Sequence, residues 1–234
     1  MPVLKVENLY VGYYKDLNIL QGVNVNARKA EITVVLGANG VGKSTLLKAI
    51  YGFIHPQQGT IEVDGQDIMH LTSHKLVHHG ISYIPQRQSI FPYMTVEENM
   101  ELGAWSFRSD KMRVQQKLEE NYARFPILRD RKRSPAGELS GGMQRMVELS
   151  RVLMTDPKLI LVDEPTAGLA VKLSREIYDL LVNLKNEGIT ILLVDQNIRQ
   201  AIRIADYVYV LELGRNRYEG PREEFNDLKK ALWL

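Results

Sequence analysis

A glycine-rich segment near the N-terminus carries the residue types that bind phosphate. The segment GANGVGKST, residues 37–45, follows the apolar run ITVVL and precedes LLKAIYGF. In this G-x-x-x-x-G-K-S spacing, the glycines let backbone N–H groups face phosphate oxygens, Lys43 adds a positive charge, and the Ser44 hydroxyl can bind Mg²⁺. The residues expected to contact phosphate are Gly37, Ala38, Asn39, Gly40, Val41, Gly42, Lys43, Ser44 and Thr45.

In the segment LILVDEP, residues 159–165, two adjacent carboxylates follow the apolar run LILV. Burying such a pair costs desolvation free energy unless a cation and a water molecule use it. An exposed acidic turn would explain Asp163 and Glu164 on their own, but the phosphate motif earlier in the chain favours a catalytic pair. We therefore predict that Asp163 holds Mg²⁺ through water and that Glu164 is the general base for an attacking water.

A third polar pair lies in the segment ITILLVDQNIRQ, residues 189–200. The aliphatic run before Asp195 and Gln196 is typical of a strand buried on both faces. Because α/β sheets bind ligands at the carboxyl ends of their parallel strands, both polar residues are expected at such a ligand site.

Alternating strands and helices position these three segments. Short apolar runs that predict strands fill the first third of the chain and return after residue 156, whereas the part between is helical. In that part, Thr95 and Glu98 have the spacing of a capping box, and Pro126 is expected to end a charge-rich helix. The chain is therefore predicted to be one domain over residues 1–234, with a nucleotide-binding α/β core and a helical subdomain inserted into it. The predicted boundaries are 1–86 and 157–234 for the core and 87–156 for the helical subdomain.

Composition excludes several classes of protein. The 234 residues include no cysteine, which excludes disulfides, thiol catalysis and cysteine-bound metals. The net charge of +2 gives no reason to expect nucleic acid as a partner, because a DNA-binding domain usually has a clustered basic face. No apolar run approaches the roughly 18 to 20 residues that cross a bilayer, so a soluble, intracellular protein is expected.

The segment LSGGMQRMVELSRVL, residues 139–153, resembles the signature motif of ATP-binding-cassette (ABC) ATPases. Ser140, Gly141 and Gly142 begin a predicted helix, and backbone N–H groups at a helix start can bind an anion. In the family, this motif closes over the ATP held by a partner subunit, so the resemblance implies a head-to-tail dimer. It also implies the family fold, a RecA-like P-loop α/β core with an antiparallel β subdomain and a helical signature subdomain.

Further family elements follow in the expected order. Tyr13 lies where the family stacks an aromatic ring on adenine, with Tyr14 as the alternative. Gln86 resembles the glutamine that touches Mg²⁺ and leads into the helical subdomain. Gln196 stands where most members have histidine, and the resemblance implies that it donates a neutral hydrogen bond to the γ-phosphate.

Two departures from the family pattern indicate a subgroup. Ala170 replaces the aspartate usual after the catalytic glutamate, and AGLA together with DQN resembles the LivF-type ATPase subunits of branched-chain amino-acid importers. The tract IFPYMTVEEN resembles the same subgroup. Gln86 differs from the glutamate common there, which leaves the related urea and amide importers open.

The resemblance implies a set of cofactors and partners. These are ATP and Mg²⁺, a second ABC ATPase subunit that is either identical or distinct, an integral membrane permease and, indirectly, an extracytoplasmic solute-binding protein. The chain would then be peripheral, on the cytoplasmic side of the membrane. A soluble ABC ATPase acting on nucleic acid or ribosomes is the rival function, although such members usually carry two cassettes or a long coiled coil. A small-molecule P-loop kinase would not need LSGG.

Overall fold

Strands and helices alternate along the chain as the apolar patterns predict. The computed structural model describes residues 2–13, 17–87 and 89–225. The described strands are β1 (Pro2–Val11), β2 (Leu20–Arg28), β3 (Ile32–Leu36), β4 (Gln58–Val63), β5 (Gln66–Asp67), β6 (Ile81–Ile84), β7 (Leu159–Asp163), β8 (Thr190–Val194), β9 (Tyr207–Glu212) and β10 (Arg215–Pro221). The described α-helices are α1 (Lys43–Ile50), α2 (Ser73–Leu76), α3 (Val96–Glu101), α4 (Lys111–Arg124), α5 (Pro126–Asp130), α6 (Gly141–Leu153), α7 (Val171–Asn186) and α8 (Ile198–Ile204).

A six-stranded sheet in the order β10-β9-β3-β8-β7-β6 forms the core. The strands from β9 to β6 pair in parallel, and β10 pairs antiparallel with β9. In β7, Leu159 and Leu161 face one apolar cluster while Ile160 and Val162 face another. The sheet is therefore covered on both faces, and the carboxyl ends of its parallel strands meet at one edge, where such sheets bind ligands.

A second, four-stranded sheet has the order β2-β1-β4-β5 and is antiparallel throughout. Its buried residues share one apolar cluster with α1 and with one face of the six-stranded sheet, for example Val6, Leu46 and Leu161. The predicted α/β class with a parallel core and an antiparallel β portion is confirmed.

The apolar patterns of the sequence left β2 and β10 unpredicted. In β2, Val23, Val25 and Ala27 are buried and alternate with exposed polar residues, so a period of two was present but short. The sequence of β10, RNRYEGP, is polar, and the strand forms by pairing with β9 at the edge of the sheet. Its own residues carry little strand signal, because an edge strand needs few buried side chains.

The chain between β6 and β7 is helical. Thr95 caps α3, accepting a hydrogen bond from the Glu98 backbone N–H while the Glu98 carboxylate accepts one from the Thr95 N–H, so the predicted capping box is confirmed. The charge-rich helix α4 ends at Arg124, and Pro126 occupies the first turn of α5, where proline is tolerated because it lacks an N–H. Within the described residues, no helix has the length and apolar character needed to span a bilayer.

Candidate functional site

The glycine-rich segment connects β3 to α1 by a turn that only glycine fits. Gly42 precedes α1 with a φ of 107°, and a Cβ there would lie 2.4 Å from Leu20 Cδ2. The backbone at Gly37 has a φ of 150°, and a Cβ there would lie 2.5 Å from the Leu211 carbonyl oxygen. These two contacts fix the path of the segment and set the N-terminus of α1 at the carboxyl edge of the sheet.

Lys43, the first residue of α1, is almost fully buried. Its ammonium donates hydrogen bonds to the carbonyl oxygens of Gly37 at 2.8 Å and Ala38 at 3.0 Å. Burial lowers the pKa of the ammonium, and the nearby carboxylates of Glu164 and Asp163 oppose that shift. The side chain therefore curls along the segment and presents its charge to the space that the segment encloses.

The carboxylate of Asp163, at the end of β7, is held by two hydroxyl groups. The Ser44 hydroxyl donates to Oδ1 at 2.9 Å, and the Tyr83 hydroxyl donates to Oδ2 at 3.0 Å. The first bond links the two segments that the sequence assigned to one site. Tyr83 was missed; its position in a strand just before Gln86 was the only signal.

Glu164 follows the last residue of β7, and its backbone leaves the extended conformation of the strand. Its backbone N–H still bonds to the Val194 carbonyl oxygen at 2.9 Å, but its φ is 43°, a left-handed conformation uncommon for a side chain of this size. Gln86 Nε2 donates to Glu164 Oε2 at 2.6 Å. Burial raises the pKa of the Glu164 carboxyl, and the hydrogen bond from Gln86 and the charge of Lys43 oppose that shift.

Most of the residues predicted for the site surround one cavity of about 390 Å³, which we call the cleft. Tyr13 stands at its wall with 54% of its surface exposed, whereas Tyr14 lies outside the described residues. Gly37, Ala38 and Val41 line a smaller neighbouring cavity instead. The residues that line the cleft are Tyr13, Ile19, Asn39, Gly40, Gly42, Lys43, Ser44, Thr45, Gln86, Glu164 and Gln196.

Asp195 and Gln196, adjacent after β8, have different surroundings. Gln196 lines the cleft, but Asp195 is buried and is not among the described residues that line it. The Asp195 carboxylate accepts hydrogen bonds from the Tyr178 hydroxyl at 2.7 Å and from the Asn197 N–H at 2.8 Å. The Tyr178 hydroxyl also lies 3.2 Å from the Thr166 hydroxyl, so Asp195 ties α7 to the strand end that positions Gln196.

The N-terminus of α6, comprising Ser140, Gly141 and Gly142, is the signature end. Ser140 caps the helix by accepting a hydrogen bond from the Met143 N–H at 3.4 Å. A Cβ on Gly142 would lie 1.9 Å from the Leu173 side chain, so this glycine lets α6 and α7 approach closely. Among the described residues that line the cleft, none comes from the signature end.

A buried ion pair on α6 connects the signature helix to the cleft. Arg145 Nη1 lies 2.8 Å from Glu148 Oε2 and donates to the Pro85 carbonyl oxygen at 2.8 Å, beside Gln86. Arg145 Nε donates to the Pro165 carbonyl oxygen at 3.0 Å, immediately after Glu164. The motif spacing gave no indication of this link, since its partners are far apart in sequence.

Ala170 is the N-cap residue of α7, and its side chain makes no capping hydrogen bond. An aspartate or serine is common at such a position because its oxygen accepts a hydrogen bond from the first helical turn. The loop between Glu164 and α7 is held instead by backbone bonds from the Ala167 N–H to the Glu164 carbonyl at 3.2 Å and from the Leu169 N–H to the Thr166 carbonyl at 3.1 Å.

The chain is similar to proteins of known type. The family model described as ABC transporter matches residues 20–167. The high-affinity branched-chain amino acid transport ATP-binding protein BraG of Pseudomonas aeruginosa is 39% identical over 87% of this chain and 86% of that protein. The probable branched-chain amino acid transport ATP-binding protein LivF of Archaeoglobus fulgidus is 37% identical over 97% and 96%.

A second Pseudomonas aeruginosa protein with a matching description is also similar. It is the high-affinity branched-chain amino acid transport ATP-binding protein BraF, 29% identical over 97% of this chain and 94% of that protein. Among solved structures, the dimeric ATP-binding cassette MJ0796 bound to ADP and phosphate superposes with a TM-score of 0.82, at 26% identity over 94% of this chain and 98% of that one.

Proposed function

The chain belongs to the ABC transporter family, and on that premise we propose that it is the ATP-hydrolysing subunit of an importer for branched-chain amino acids. The observation that carries the ATPase is the cleft, where Lys43, Glu164 and Gln196 meet although they follow three different strands. The names of BraG and LivF, the two relatives at 39% and 37% identity, support the class of solute.

Binding of ATP follows from the polarity of the cleft. The triphosphate would lie along residues 37–45, where backbone N–H groups, the start of α1 and the Lys43 ammonium favour negative charge. The Lys43 ammonium is already buried and bonded to a backbone carbonyl oxygen. Phosphate oxygens would therefore replace carbonyl acceptors rather than water. The exposed Tyr13 ring at the wall of the cleft is the proposed surface for adenine.

The residues around Asp163 suit Mg²⁺. Ser44, Gln86 and Asp163 offer a hydroxyl, an amide oxygen and a carboxylate, which are the hard oxygen ligands that this cation prefers. Within the described residues, no group of three or more acidic, histidine or cysteine side chains could hold a metal by itself. That fits Mg²⁺, which usually keeps several waters and takes its other ligands from substrate phosphates. The bound cation would offset the phosphate charge.

Glu164 is the proposed general base. Its raised pKa makes the carboxylate a better proton acceptor for water, and the bond from Gln86 orients the carboxylate within the cleft. Gln196, which follows the adjacent parallel strand β8, would donate a neutral hydrogen bond to the γ-phosphate. Hydrolysis therefore requires Glu164 to take the proton of the attacking water while Lys43 and Gln196 hold the phosphate.

The signature end would act on the nucleotide of a second cassette. Its helix start is a suitable anion site, yet among the described residues that line the cleft of its own chain none comes from it. A head-to-tail dimer brings each signature end to the other chain's cleft, as in the proposed arrangement of two cassettes around two nucleotides. The related cassette solved as a dimer bound to ADP and phosphate supports this arrangement.

The second cassette is proposed to be either a copy of this chain or a distinct ATPase. The two Pseudomonas aeruginosa proteins BraG and BraF favour the distinct chain, because both bear names of one transport function and both resemble this chain. The remaining proposed partners are a membrane permease, which would hold the chain at the cytoplasmic side of the membrane, and a solute-binding protein that acts through the permease.

Reconstitution tests the proposal. The chain is co-expressed with the permease, ATPase and solute-binding protein encoded by neighbouring genes, and the purified complex is placed in vesicles with ATP on the side of the cassettes. We expect ATP-dependent uptake of labelled leucine, isoleucine or valine, and no uptake with Glu164→Gln as the matched control. Uptake of urea or a short amide instead would overturn the solute class, and failure to co-purify with any permease would overturn the transport function.

A further inference from the structure

Tyr83 reaches Asp163 because of the register between β6 and β7. The two strands are parallel, and Tyr83 pairs with Leu161. Side chains on one face of a strand recur at every second residue, so Asp163 lies on the same face as Leu161, one step nearer the carboxyl edge. The long tyrosine side chain spans this diagonal, and its hydroxyl bonds to Asp163 Oδ2 at 3.0 Å.

The ring of Tyr83 is held by two other aromatic residues. Tyr51, just after α1, stacks on it with ring centroids 5.4 Å apart and planes 28° apart. Phe53 meets it edge-on with centroids 5.7 Å apart and planes at 81°. Contacts of this kind favour one ring orientation, so the position of the hydroxyl is fixed from outside the cleft.

The two oxygens of the Asp163 carboxylate therefore accept hydrogen bonds from different parts of the chain. Oδ1 accepts from Ser44, which is itself a proposed metal ligand, and Oδ2 accepts from Tyr83, which does not line the cleft. If the Ser44 oxygen binds a cation, its hydroxyl must reorient and its hydrogen bond to Asp163 can weaken. The bond from Tyr83 stays in place, because Tyr83 does not bind the cation. The tyrosine is then the fixed support of the carboxylate.

We propose that Tyr83 is a positioning residue that orients the Asp163 carboxylate for Mg²⁺ bound with nucleotide. The inference rests on the proposed function, since it takes Asp163 as part of the magnesium site. Tyr83 acts through Asp163 and does not itself touch the substrate or the cation. The expected consequence is specific: loss of the hydroxyl weakens the affinity for Mg²⁺ and leaves the affinity for metal-free nucleotide unchanged.

The test measures metal binding without turnover. A fluorescent ADP analogue is bound to the Tyr83→Phe variant, Mg²⁺ is titrated, and Mn²⁺ binding in the presence of ADP is followed by electron paramagnetic resonance. The half-saturating Mg²⁺ concentration should rise about tenfold in Tyr83→Phe, because a hydrogen bond to a charged group is lost. Affinity for the analogue in EDTA should match that of the wild type.

The matched control is Tyr51→Phe, which deletes a hydroxyl from the same aromatic group. Within the described residues, Asp163 accepts side-chain hydrogen bonds from Ser44 and Tyr83 and not from Tyr51, so this variant should titrate like the wild type. Phe53→Ala provides a second variant at a half-exposed position, in case Tyr83→Phe folds poorly. By loosening the Tyr83 ring it should raise the half-saturating concentration about threefold.

Wild-type Mg²⁺ affinity in Tyr83→Phe, or in Phe53→Ala where only that variant folds, would overturn the inference while the magnesium site stood. An equal loss in Tyr51→Phe would also overturn it, because the effect would then come from packing. If the wild type itself bound nucleotide without any response to Mg²⁺ or Mn²⁺, the proposed metal site would fall and the inference with it.

Discussion

The cleft and the signature end differ in what completes them. Lys43 and Glu164 line the cleft, and Asp163 accepts a hydrogen bond from the cleft residue Ser44. All three side chains make hydrogen bonds with other residues of the same chain. At the signature end, Ser140 is exposed and its cap bond to the Met143 N–H is long, at 3.4 Å. One region is pre-organised by its own chain, whereas the other presents an anion-binding helix start toward solvent. This difference is what the proposed dimer requires, because there the signature end serves the nucleotide of another subunit.

The two regions are nevertheless connected mechanically. Arg145 and Glu148 lie on the signature helix, and Arg145 bonds to the carbonyl oxygens of Pro85 and Pro165 that flank Gln86 and Glu164. Both side chains are buried, so removing one partner would leave an uncompensated charge and destabilise the link. Displacement of α6 by a second subunit would therefore shift the backbone next to Glu164, the proposed general base.

The largest effect is expected from Lys43→Ala, which breaks the cleft and spares the signature end. Backbone N–H groups cannot replace the buried ammonium, so ATP binding or hydrolysis should be abolished. Lys48→Ala, on the same helix α1 but away from the cleft, is the matched control and should keep wild-type binding. Measurement of nucleotide affinity and phosphate release decides; normal turnover in Lys43→Ala would overturn the role of the segment.

Glu164→Gln should separate hydrolysis in the cleft from the ATP-dependent pairing of two cassettes. Hydrolysis should fall by about 10²- to 10⁴-fold while ATP binding survives, because the substitution removes only the proposed general base. Unhydrolysed ATP should then hold two cassettes together, visible as an ATP-dependent dimer in size-exclusion chromatography. Glu176→Gln, an exposed carboxyl on α7, should behave as the wild type. An active Glu164→Gln variant, or one that loses nucleotide affinity, contradicts the assignment.

A modest effect is expected from Gln196→Ala. One neutral hydrogen bond to the γ-phosphate is worth about 0.5 to 1.5 kcal/mol, so the rate should fall about 2- to 12-fold. The isolated chain should hydrolyse ATP slowly and become faster with the second cassette and the permease. A thousandfold loss in Gln196→Ala would show that the cleft relies on Gln196 far more than a weak sensor allows.

The sequence predicted contiguous parts of the molecule better than contacts between distant parts. The phosphate segment and the Asp163–Glu164 pair were recognisable because their chemistry requires particular residues at fixed local spacing. Tyr83 and Tyr178 were not, because a tyrosine on a strand or helix acquires its partner only when neighbouring elements pack. For the same reason, the sequence did not show that Asp195 is buried while the adjacent Gln196 lines the cleft.

The function of the signature end depends on a second chain in the proposed dimer. Its motif was recognisable in sequence, and the described chain shows its helix start outside the cleft, but in the proposed dimer its ligand would come from a second subunit. Gly141→Asp provides a probe that preserves the fold, because Gly141 is exposed in the first turn of α6, where an acidic side chain favours the helix dipole. The added charge would repel a phosphate of the partner's nucleotide.

Mixing Lys43→Ala with Gly141→Asp tests the shared site most directly. Each variant alone has every composite site damaged, so neither should hydrolyse ATP. In a mixed dimer, one site combines both defects and the other combines the intact cleft of one chain with the intact signature end of its partner. An equal mixture should therefore recover about a quarter of the wild-type rate, since about half of the dimers are mixed and each has one working site. A mixture as inactive as the separate variants, or a Gly141→Asp chain with wild-type activity, would contradict a site shared between two copies of this chain.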